Sequence, residues 1–187
     1  MDIILASVSP RRAELLARLG LPFRVIAPDC DETLPRGIAP ARAVVLLAQQ
    51  KAQAAAPKAP NCLIIAADTV VVLGREILGK PADAEGAKNM LRRLSGKSHC
   101  VYTGVCLLVG DKKDVFAEKT KVWFEEIPEA DLEKLALDGL DKAGAYGIQG
   151  LAGAYVTRIV GSYDNVVGLP LAVVRTKVSK LSADCAV

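Results

Sequence analysis

The feature that most constrains the fold is the junction near the N-terminus, where an apolar run passes almost directly into a helix. Residues Met1–Ala6 are typical of a buried strand, and Leu15 and Leu19 then recur with the spacing of one helical face. Ser9 suits the N-cap of that helix and Pro10 suits its first position. The sequence therefore predicts a strand, a serine-containing turn and a helix in immediate succession.

Two arginines, Arg11 and Arg12, occupy the first turn of this predicted helix. Free N–H groups already give a helix N-terminus partial positive charge, so acidic side chains are favoured there and arginines are not. A bound anion would remove the conflict, and a turn, a helix N-terminus and two guanidinium groups together suit a polyphosphate. The alternative interpretation is two solvated arginines at a helix start.

The remaining chain alternates between strand and helix patterns. An apolar run at Cys62–Leu73 predicts a strand buried on both faces and interrupted by Asp68 and Thr69. The other predicted strands are Phe23–Ala27, Ile77–Pro81, which includes Lys80, a hairpin of His99–Val109 with Asp114–Phe124, and Tyr155–Val160. The predicted helices are Pro40–Ala55, one from Asp83 to Gly96, one from Pro128, and a final helix with Leu171, Val174, Val178 and Leu181. Glycine-rich loops are predicted at 141–150 and 161–170. These patterns predict an α/β fold with mixed strand directions.

Composition narrows the function classes. With 187 residues, we expect a single domain over residues 1–187, in which a cleft between two lobes remains an option. The net charge of +3 and the aromatic content of 4% argue against a nucleic-acid partner. The sequence has no Cys-x-x-Cys pair, signal peptide or membrane-spanning run, so we expect a soluble cytoplasmic protein without a membrane partner. His99 has no second ligand residue to pair with and is interpreted as structural.

Two carboxylates, Asp68 and Glu32, are candidates for functional residues because of the sequence around them. Asp68 lies within an apolar run, where an unpaired charge costs several kcal/mol, so we expect a cation, a metal or a proton beside it. A structural aspartate paired with a nearby arginine is the alternative. Glu32 lies in the acidic segment 28–33, which in isolation is best interpreted as a solvated turn.

Two lysines, Lys51 and Lys80, join the arginines and carboxylates as candidate site residues. Lys51 shares the apolar stripe of its predicted helix, so its ammonium either reaches out from the edge of the core or enters a cleft. Together with Lys80 and the two arginines, it would clamp phosphate oxygens, while carboxylates hold Mg²⁺ or activate water. The sequence has no nucleophilic triad, Walker loop or dinucleotide-binding fingerprint, and the set suits cleavage of a phosphoanhydride.

Motifs across almost the full chain resemble the Maf family of nucleoside triphosphate pyrophosphatases. They are Ser7-Val8-Ser9-Pro10-Arg11-Arg12 with Leu15-Leu16, Ala67-Asp68-Thr69-Val70-Val71, Gly79-Lys80-Pro81 with Asp83 and Ala87, Leu94-Ser95-Gly96, and Gly161-Ser162-Tyr163 with Val166-Val167-Gly168-Leu169-Pro170. The stretch 141–150, Asp-Lys-Ala-Gly-Ala-Tyr-Gly-Ile-Gln-Gly, resembles the subgroup that hydrolyses dTTP and UTP.

The resemblance implies a fold, a reaction and a set of residue roles. The fold is an elongated α/β fold related to inosine triphosphate pyrophosphatases, in which a central twisted mixed sheet is flanked by helices and a deep cleft lies between two lobes. The reaction is hydrolysis between the α- and β-phosphates, assisted by a divalent cation such as Mg²⁺ or Mn²⁺. Asp68 matches the general base and, with Glu32, the metal ligands. Ser7, Arg11, Lys51 and Lys80 match the phosphate-handling positions, and Arg12, Thr69 and Gln149 match those that tune base selectivity.

The resemblance further implies a homodimer, and the family's association with division arrest keeps a nucleotide-sensing regulator of cell division as an alternative. For selectivity, the amide of Gln149 both donates and accepts, as a uracil or thymine edge requires. A purely structural role, in which Gln149 braces its glycine-rich loop, is the other interpretation.

Overall fold

A computed structural model describes residues 2–35 and 37–184, so Met1 of the first predicted strand lies outside the described residues. The strands are β1 (Ile3–Ala6), β2 (Phe23–Ile26), β3 (Leu63–Leu73), β4 (Glu76–Leu78), β5 (Ser98–Val109), β6 (Lys112–Phe124) and β7 (Val156–Val160). The helices are α1 (Pro10–Ala17), α2 (Pro40–Ala55), α3 (Ala84–Leu94), α4 (Glu129–Gly139), α5 (Tyr163–Val167) and α6 (Leu171–Asp184). Short 3-10 segments cover Ala56–Lys58, Ala143–Ala145 and Leu151–Tyr155. Within the described residues, no helix combines the length and the apolar character needed to cross a membrane.

The strands form a mixed sheet in the order β2-β1-β3-β5-β6-β7, with β4 added on β3. Strand β1 pairs in parallel with both β2 and β3, whereas β4 is antiparallel to β3 and β7 is antiparallel to β6. The predicted α/β class and the mixed strand directions are therefore confirmed.

The chain divides into two compact units. Unit 1 contains residues 1–68, 103–118 and 168–187, and unit 2 contains residues 69–102 and 119–167. The single domain over residues 1–187 and the cleft between two lobes stay predictions.

In unit 1, helix α2 lies very close to strand β5. Gly104 marks the contact, because a Cβ atom at this position would lie 2.3 Å from both the carbonyl carbon and the carbonyl oxygen of Val44. The buried face of α2 includes Val44, Leu47, Ala48 and Lys51, as the sequence pattern predicts. Lys51 is thus carried on the face that packs into the core.

In unit 2, helices α3 and α4 pack around one apolar core. Asp83 caps α3, where its Oδ1 accepts a hydrogen bond from the backbone N–H of Gly86 at 2.7 Å. The core residues are Val71, Leu78, Ala87, Leu91, Leu94, Val101, Val122, Phe124, Ile127, Leu132, Leu135, Ala136, Ala145, Tyr146 and Ala152.

The structure differs from the sequence-based elements in several places. Asp68 and Thr69 do not interrupt β3, which continues over both, because the backbone ladder tolerates a charged side chain that has a partner. Lys80 lies beyond the end of β4 and not in it. The predicted loop 161–170 contains the short helix α5. Among the described residues, four cysteines are free thiols: Cys62 and Cys106 are buried, and Cys30 and Cys100 are partly buried.

Candidate active site

The candidate site of unit 1 lies where parallel strands β1 and β3 run side by side. Ala6, the last residue of β1, is paired with Ala66 of β3. Ser7 follows Ala6 directly, and Asp68 lies two residues beyond Ala66. Ligand sites of open α/β sheets form where parallel strands end, because the connecting loops diverge there. The register therefore brings the N-terminal signature and the Asp68 motif to one region of the sheet.

Lys51 lies between two carboxylates in this region. Its Nζ is 2.5 Å from Oδ1 of Asp68 and 3.2 Å from Oε1 of Glu32. The side chains of Lys51 and Asp68 are only 9% and 12% exposed, whereas that of Glu32 is 58% exposed. The structure thus supplies a cation beside the buried aspartate, the ammonium of Lys51.

The burial of this pair decides which contact holds Lys51 in place. A pair removed from water interacts strongly, and loss of one partner typically costs about 3–5 kcal/mol. A pair exposed on one side contributes about 0–1 kcal/mol because solvent screens it. Asp68 is accordingly the anchor of Lys51, and Glu32 remains able to exchange this contact for another.

Arg12 links the N-terminal signature to the closing motif. Its Nε donates to the carbonyl oxygen of Gly168 at 3.0 Å, and its Nη1 donates to Oγ of Ser7 at 3.3 Å. Ser7 is buried, and its Oγ also accepts the backbone N–H of Ser9 at 3.1 Å. Neither bond uses the hydroxyl proton of Ser7, so that proton can be donated to another acceptor. Ser9 occupies the N-cap position of α1, as predicted, but its side chain makes no capping hydrogen bond.

The electrostatics around Arg12 place it near the carboxylates. Burial lowers the pKa of its guanidinium below the ordinary value, and the neighbouring charge of Arg11 acts in the same direction. The charges of Asp68 and Glu32 oppose this shift. Arginine remains protonated at neutral pH under such shifts, so this part of unit 1 combines two guanidinium groups, an ammonium and two carboxylates.

The other predicted residues belong to unit 2. Thr69 follows Asp68 in β3 and is half-buried, while Lys80 and Gln149 are exposed. Lys80 is the neighbour of Gly79, whose carbonyl oxygen accepts the backbone N–H of Gly144 at 2.9 Å. The segment that carries Lys80 is therefore attached to the glycine-rich segment 141–150 that carries Gln149.

The donor set fits a hard divalent cation. Among the described residues, no group of three or more histidine, cysteine, aspartate or glutamate side chains forms a self-contained metal cage. Mg²⁺ is commonly held by one or two carboxylates together with substrate phosphate oxygens and water. Glu32 and Asp68, which share Lys51 as a neighbour, match that requirement.

The sequence did not predict that the carbonyl oxygen of Gly168 accepts a hydrogen bond from Arg12 in the candidate site. Gly168 has φ of 128°, a conformation that side-chain-bearing residues rarely adopt, and it precedes α6. Its position within the closing motif marked it as a turn glycine, but no local pattern indicates that its oxygen meets Arg12.

Comparison with known proteins identifies relatives along nearly the whole chain. A family model described as Maf-like protein matches residues 2–181. A dTTP/UTP pyrophosphatase of Pelotomaculum thermopropionicum is 49% identical over 175 residues, which cover 91% of this chain and 92% of that protein. A dTTP/UTP pyrophosphatase of Geobacillus sp. is 48% identical over 182 residues, which cover 96% and 98% of the two chains.

A solved structure shares the fold. The structure of the Staphylococcus aureus Ham1 protein superposes with a TM-score of 0.54 at 15% sequence identity, covering 96% of this chain and 99% of the other. At this identity the likeness concerns the fold alone.

Proposed function

The chain belongs to the Maf family, and from this membership we propose that it hydrolyses dTTP and UTP to the nucleoside monophosphate and pyrophosphate. The observation that carries the proposal is the buried contact between Lys51 and Asp68, beside the half-exposed Glu32 and the Arg11–Arg12 pair. A cation-rich site that retains a carboxylate has both the charges to bind a triphosphate and a group to accept a proton.

Asp68 is the proposed general base. A water molecule attacks the α-phosphorus, the bond from this phosphorus to the bridging oxygen breaks, and pyrophosphate leaves with the bonding electrons. The proton of the attacking water passes to a carboxylate oxygen of Asp68. The contact with Lys51 fixes one oxygen of this carboxylate at Nζ, which orients the other.

The cations are proposed to bind the triphosphate. Arg11, Lys51 and Lys80 neutralise phosphate oxygens, and the hydroxyl proton of Ser7 is donated to another. Because charge moves onto the leaving pyrophosphate during the reaction, these groups stabilise the transition state more than the bound substrate.

Glu32 and Asp68 are the residues that would hold a divalent cation, Mg²⁺ or Mn²⁺. When bound, the cation would polarise the attacked phosphate and balance its charge. The exposure of Glu32 suits this role, because its contact with Lys51 is readily exchanged for a ligand bond.

Base selectivity is assigned to Gln149, Thr69 and Arg12. The amide of Gln149 offers a donor and an acceptor to the uracil or thymine edge, whereas adenine and cytosine present an amino group where the carbonyl would be. A mismatch of this kind costs about 1–3 kcal/mol, or about 10–150-fold in discrimination. Arg12 supports this role indirectly, since it fixes the loop that begins at Ser7.

We further propose a cellular compartment and an oligomeric state for the protein. The protein is a cytoplasmic enzyme without nucleic-acid or membrane partners, and it forms a homodimer. Sedimentation velocity at micromolar concentration tests the dimer, and fractionation of cells that express the full chain tests the compartment.

The decisive experiment is incubation of the purified protein with each triphosphate and Mg²⁺, with separate assays for pyrophosphate and orthophosphate. We expect pyrophosphate and monophosphate from dTTP and UTP. Orthophosphate as the main product would contradict cleavage at the α-phosphorus. Tight binding of dTTP without turnover, with or without Mg²⁺ or Mn²⁺, would instead support the nucleotide-sensing regulator.

A further inference from the structure

The single histidine of the chain is hydrogen bonded to the glycine-rich segment 141–150. His99 lies near the start of β5, and its Nε2 is 2.7 Å from the hydroxyl oxygen of Tyr146. Both residues belong to unit 2 and are almost fully buried. Tyr146 stands three residues before Gln149, so this bond is made by the same short segment that carries the proposed specificity residue.

Aromatic packing fixes the geometry of this bond. His99, Phe124 and Tyr146 form three edge-to-face contacts, with ring centroids 5.1 Å apart for His99 and Phe124, 5.3 Å for His99 and Tyr146, and 4.9 Å for Phe124 and Tyr146. Such contacts are favourable beyond simple burial, because the positive edge of one ring meets the negative face of the next. The ring of Tyr146 is therefore held even before its hydroxyl group is considered.

Packing alone does not explain a histidine at this position. The Nδ1 atom of His99 is buried and finds no hydrogen-bond partner among the residues that the structure describes. An unsatisfied buried polar atom destabilises the folded state, a cost that an apolar ring of similar size would avoid. The feature that histidine offers and an apolar ring lacks is the bond from Nε2 to Tyr146.

The bond is made between neutral groups over a wide pH range. Burial lowers the pKa of His99 to about 4 and raises the pKa of Tyr146 above its ordinary value. At pH 6–8 the imidazole is uncharged and the phenol keeps its proton, so the bond does not change with pH in this range.

The surrounding backbone shows that segment 141–150 is fitted closely to unit 2. A Cβ at Gly144 would lie 2.8 Å from Cγ2 of Val71, and the backbone N–H of Gly144 donates to Gly79 beside Lys80. A Cβ at Gly139 would lie 1.9 Å from the carbonyl oxygen of Ala145. These contacts fix the first half of the segment, whereas Gln149 itself is exposed. Tyr146 is the last buried residue before Gln149, and its hydroxyl makes the hydrogen bond of this segment with His99.

We propose that His99 is a positioning residue for base selectivity, acting through the hydroxyl of Tyr146 on the placement of Gln149. This inference rests on the proposed function, because it assigns Gln149 to recognition of the pyrimidine base. Without the bond, the aromatic cluster still packs, but the turn at 147–150, which the N–H of Gly150 closes on the carbonyl oxygen of Gly147, loses the polar contact just before it and can shift as a unit. Small displacements of a recognition group reduce discrimination before they abolish binding.

The test compares Tyr146→Phe and His99→Leu with a control variant, Val122→Ala. Tyr146→Phe removes one oxygen atom and keeps the ring, while Val122→Ala weakens the same core without altering the bond. We expect Tyr146→Phe and His99→Leu to lower the ratio of kcat/KM for dTTP to that for CTP by at least about fivefold, the effect of about one net hydrogen bond. The same ratio should stay unchanged in Val122→Ala even when its melting temperature falls.

A conservative variant at His99 distinguishes a role in positioning Gln149 from a role in the stability of the fold. His99→Gln places an amide nitrogen or oxygen near the position of Nε2, and we expect it to restore the dTTP to CTP ratio at least in part. An unchanged ratio in Tyr146→Phe, measured in a folded variant that still hydrolyses dTTP, would overturn the inference while leaving the proposed function intact. Absence of dTTP and UTP hydrolysis in the unmodified protein would instead overturn the proposed function.

Discussion

Lys51 Nζ lies 2.5 Å from Asp68 Oδ1, and both side chains are nearly excluded from solvent. Helix α2 supplies the lysine and strand β3 supplies the aspartate, so the contact joins two of the most deeply buried elements of unit 1. An aspartate held in this way cannot rotate freely. Its carboxylate is therefore oriented before any substrate arrives, which suits the role of general base proposed for Asp68.

Replacement of Asp68 by asparagine should lower kcat strongly while preserving the fold. The amide keeps the shape and one acceptor oxygen, but it cannot accept the proton of the attacking water. We expect kcat for dTTP to fall by about 10²-fold or more, with nucleotide binding still measurable by calorimetry. Asp114→Asn is the matched control, because Asp114 pairs with Lys177 elsewhere in unit 1. Near-normal turnover of Asp68→Asn would remove Asp68 from the mechanism.

Replacement of Lys51 by methionine should affect stability as well as activity. The change leaves the carboxylate of Asp68 buried without its cation, which typically costs about 3–5 kcal/mol of unfolding free energy. Urea unfolding should show this loss, and kcat/KM for dTTP should also fall.

The double variant Lys51→Met/Asp68→Asn separates the two effects. It removes both charges, so we expect it to recover much of the stability while activity stays lost. The control is Lys177→Met, whose partially exposed pair with Asp114 should contribute much less to stability. Recovery of activity in the double variant would contradict a catalytic role for either residue.

Replacement of Arg12 by lysine should impair catalysis despite the retained charge. The guanidinium of Arg12 bonds Gly168 and Ser7 through two different nitrogens, which a single ammonium on a flexible stem cannot reproduce. We expect kcat/KM to fall by about tenfold or more, since misplacement of Ser7 weakens phosphate binding. Arg18→Lys, near the exposed end of α1, serves as the control, and equal kinetics of the two variants would argue against the linking role of Arg12.

Replacement of Gln149 by glutamate should change the choice of substrate more than the rate with the best one. A carboxylate removes the donor that meets a pyrimidine carbonyl and leaves an acceptor. The unmodified protein should prefer dTTP and UTP over ATP, CTP and GTP, and this preference should erode in the variant by about 10-fold or more. The measurement is kcat/KM for all five triphosphates. ATP or GTP ranking with dTTP in the unmodified protein would contradict the assignment.

Stability should decrease as pH falls from about 6.5 to about 4 through His99. Its folded-state pKa is lowered by burial to about 4, so in this window the unfolded chain binds more protons than the folded chain. The contribution of His99 is complete above the unfolded value and is lost on acidification, by about 3 kcal/mol over the whole window at 1.36 kcal/mol per pKa unit. Urea titrations at pH 7 and pH 4.5 should show a smaller loss in His99→Leu than in the unmodified protein.

Local patterns predicted individual elements well. Helix α2 begins at Pro40 and ends at Ala55, as its periodicity and its opening proline indicate. The buried run of β3 was predicted from its apolar character, and the cap of α3 from Asp83. Each of these depends on residues close together in sequence, so a single chain contains the required information.

The contacts of the candidate site depend on residues far apart in the chain. The sequence left two directions open for Lys51, and only the packing of α2 on the sheet brings it to Asp68. Arg12 and Gly168 are separated by 156 positions, and no local signal pairs them. Ser9 occupies the predicted N-cap position, but the sequence does not indicate that its side chain makes no capping bond or that its N–H donates to Ser7.

The close approach at Gly104 has a consequence for how this chain tolerates change. Val44 and Lys51 are seven residues apart on α2, so they lie on the same face of the helix, two turns from each other. Even one methyl group at position 104 would push the helix backbone away from the sheet and carry the lysine with it. The alignment of Lys51 with Asp68 thus depends on the lack of a side chain at Gly104, a residue that takes no part in the chemistry. A substitution there would lower activity although it alters no reactive group.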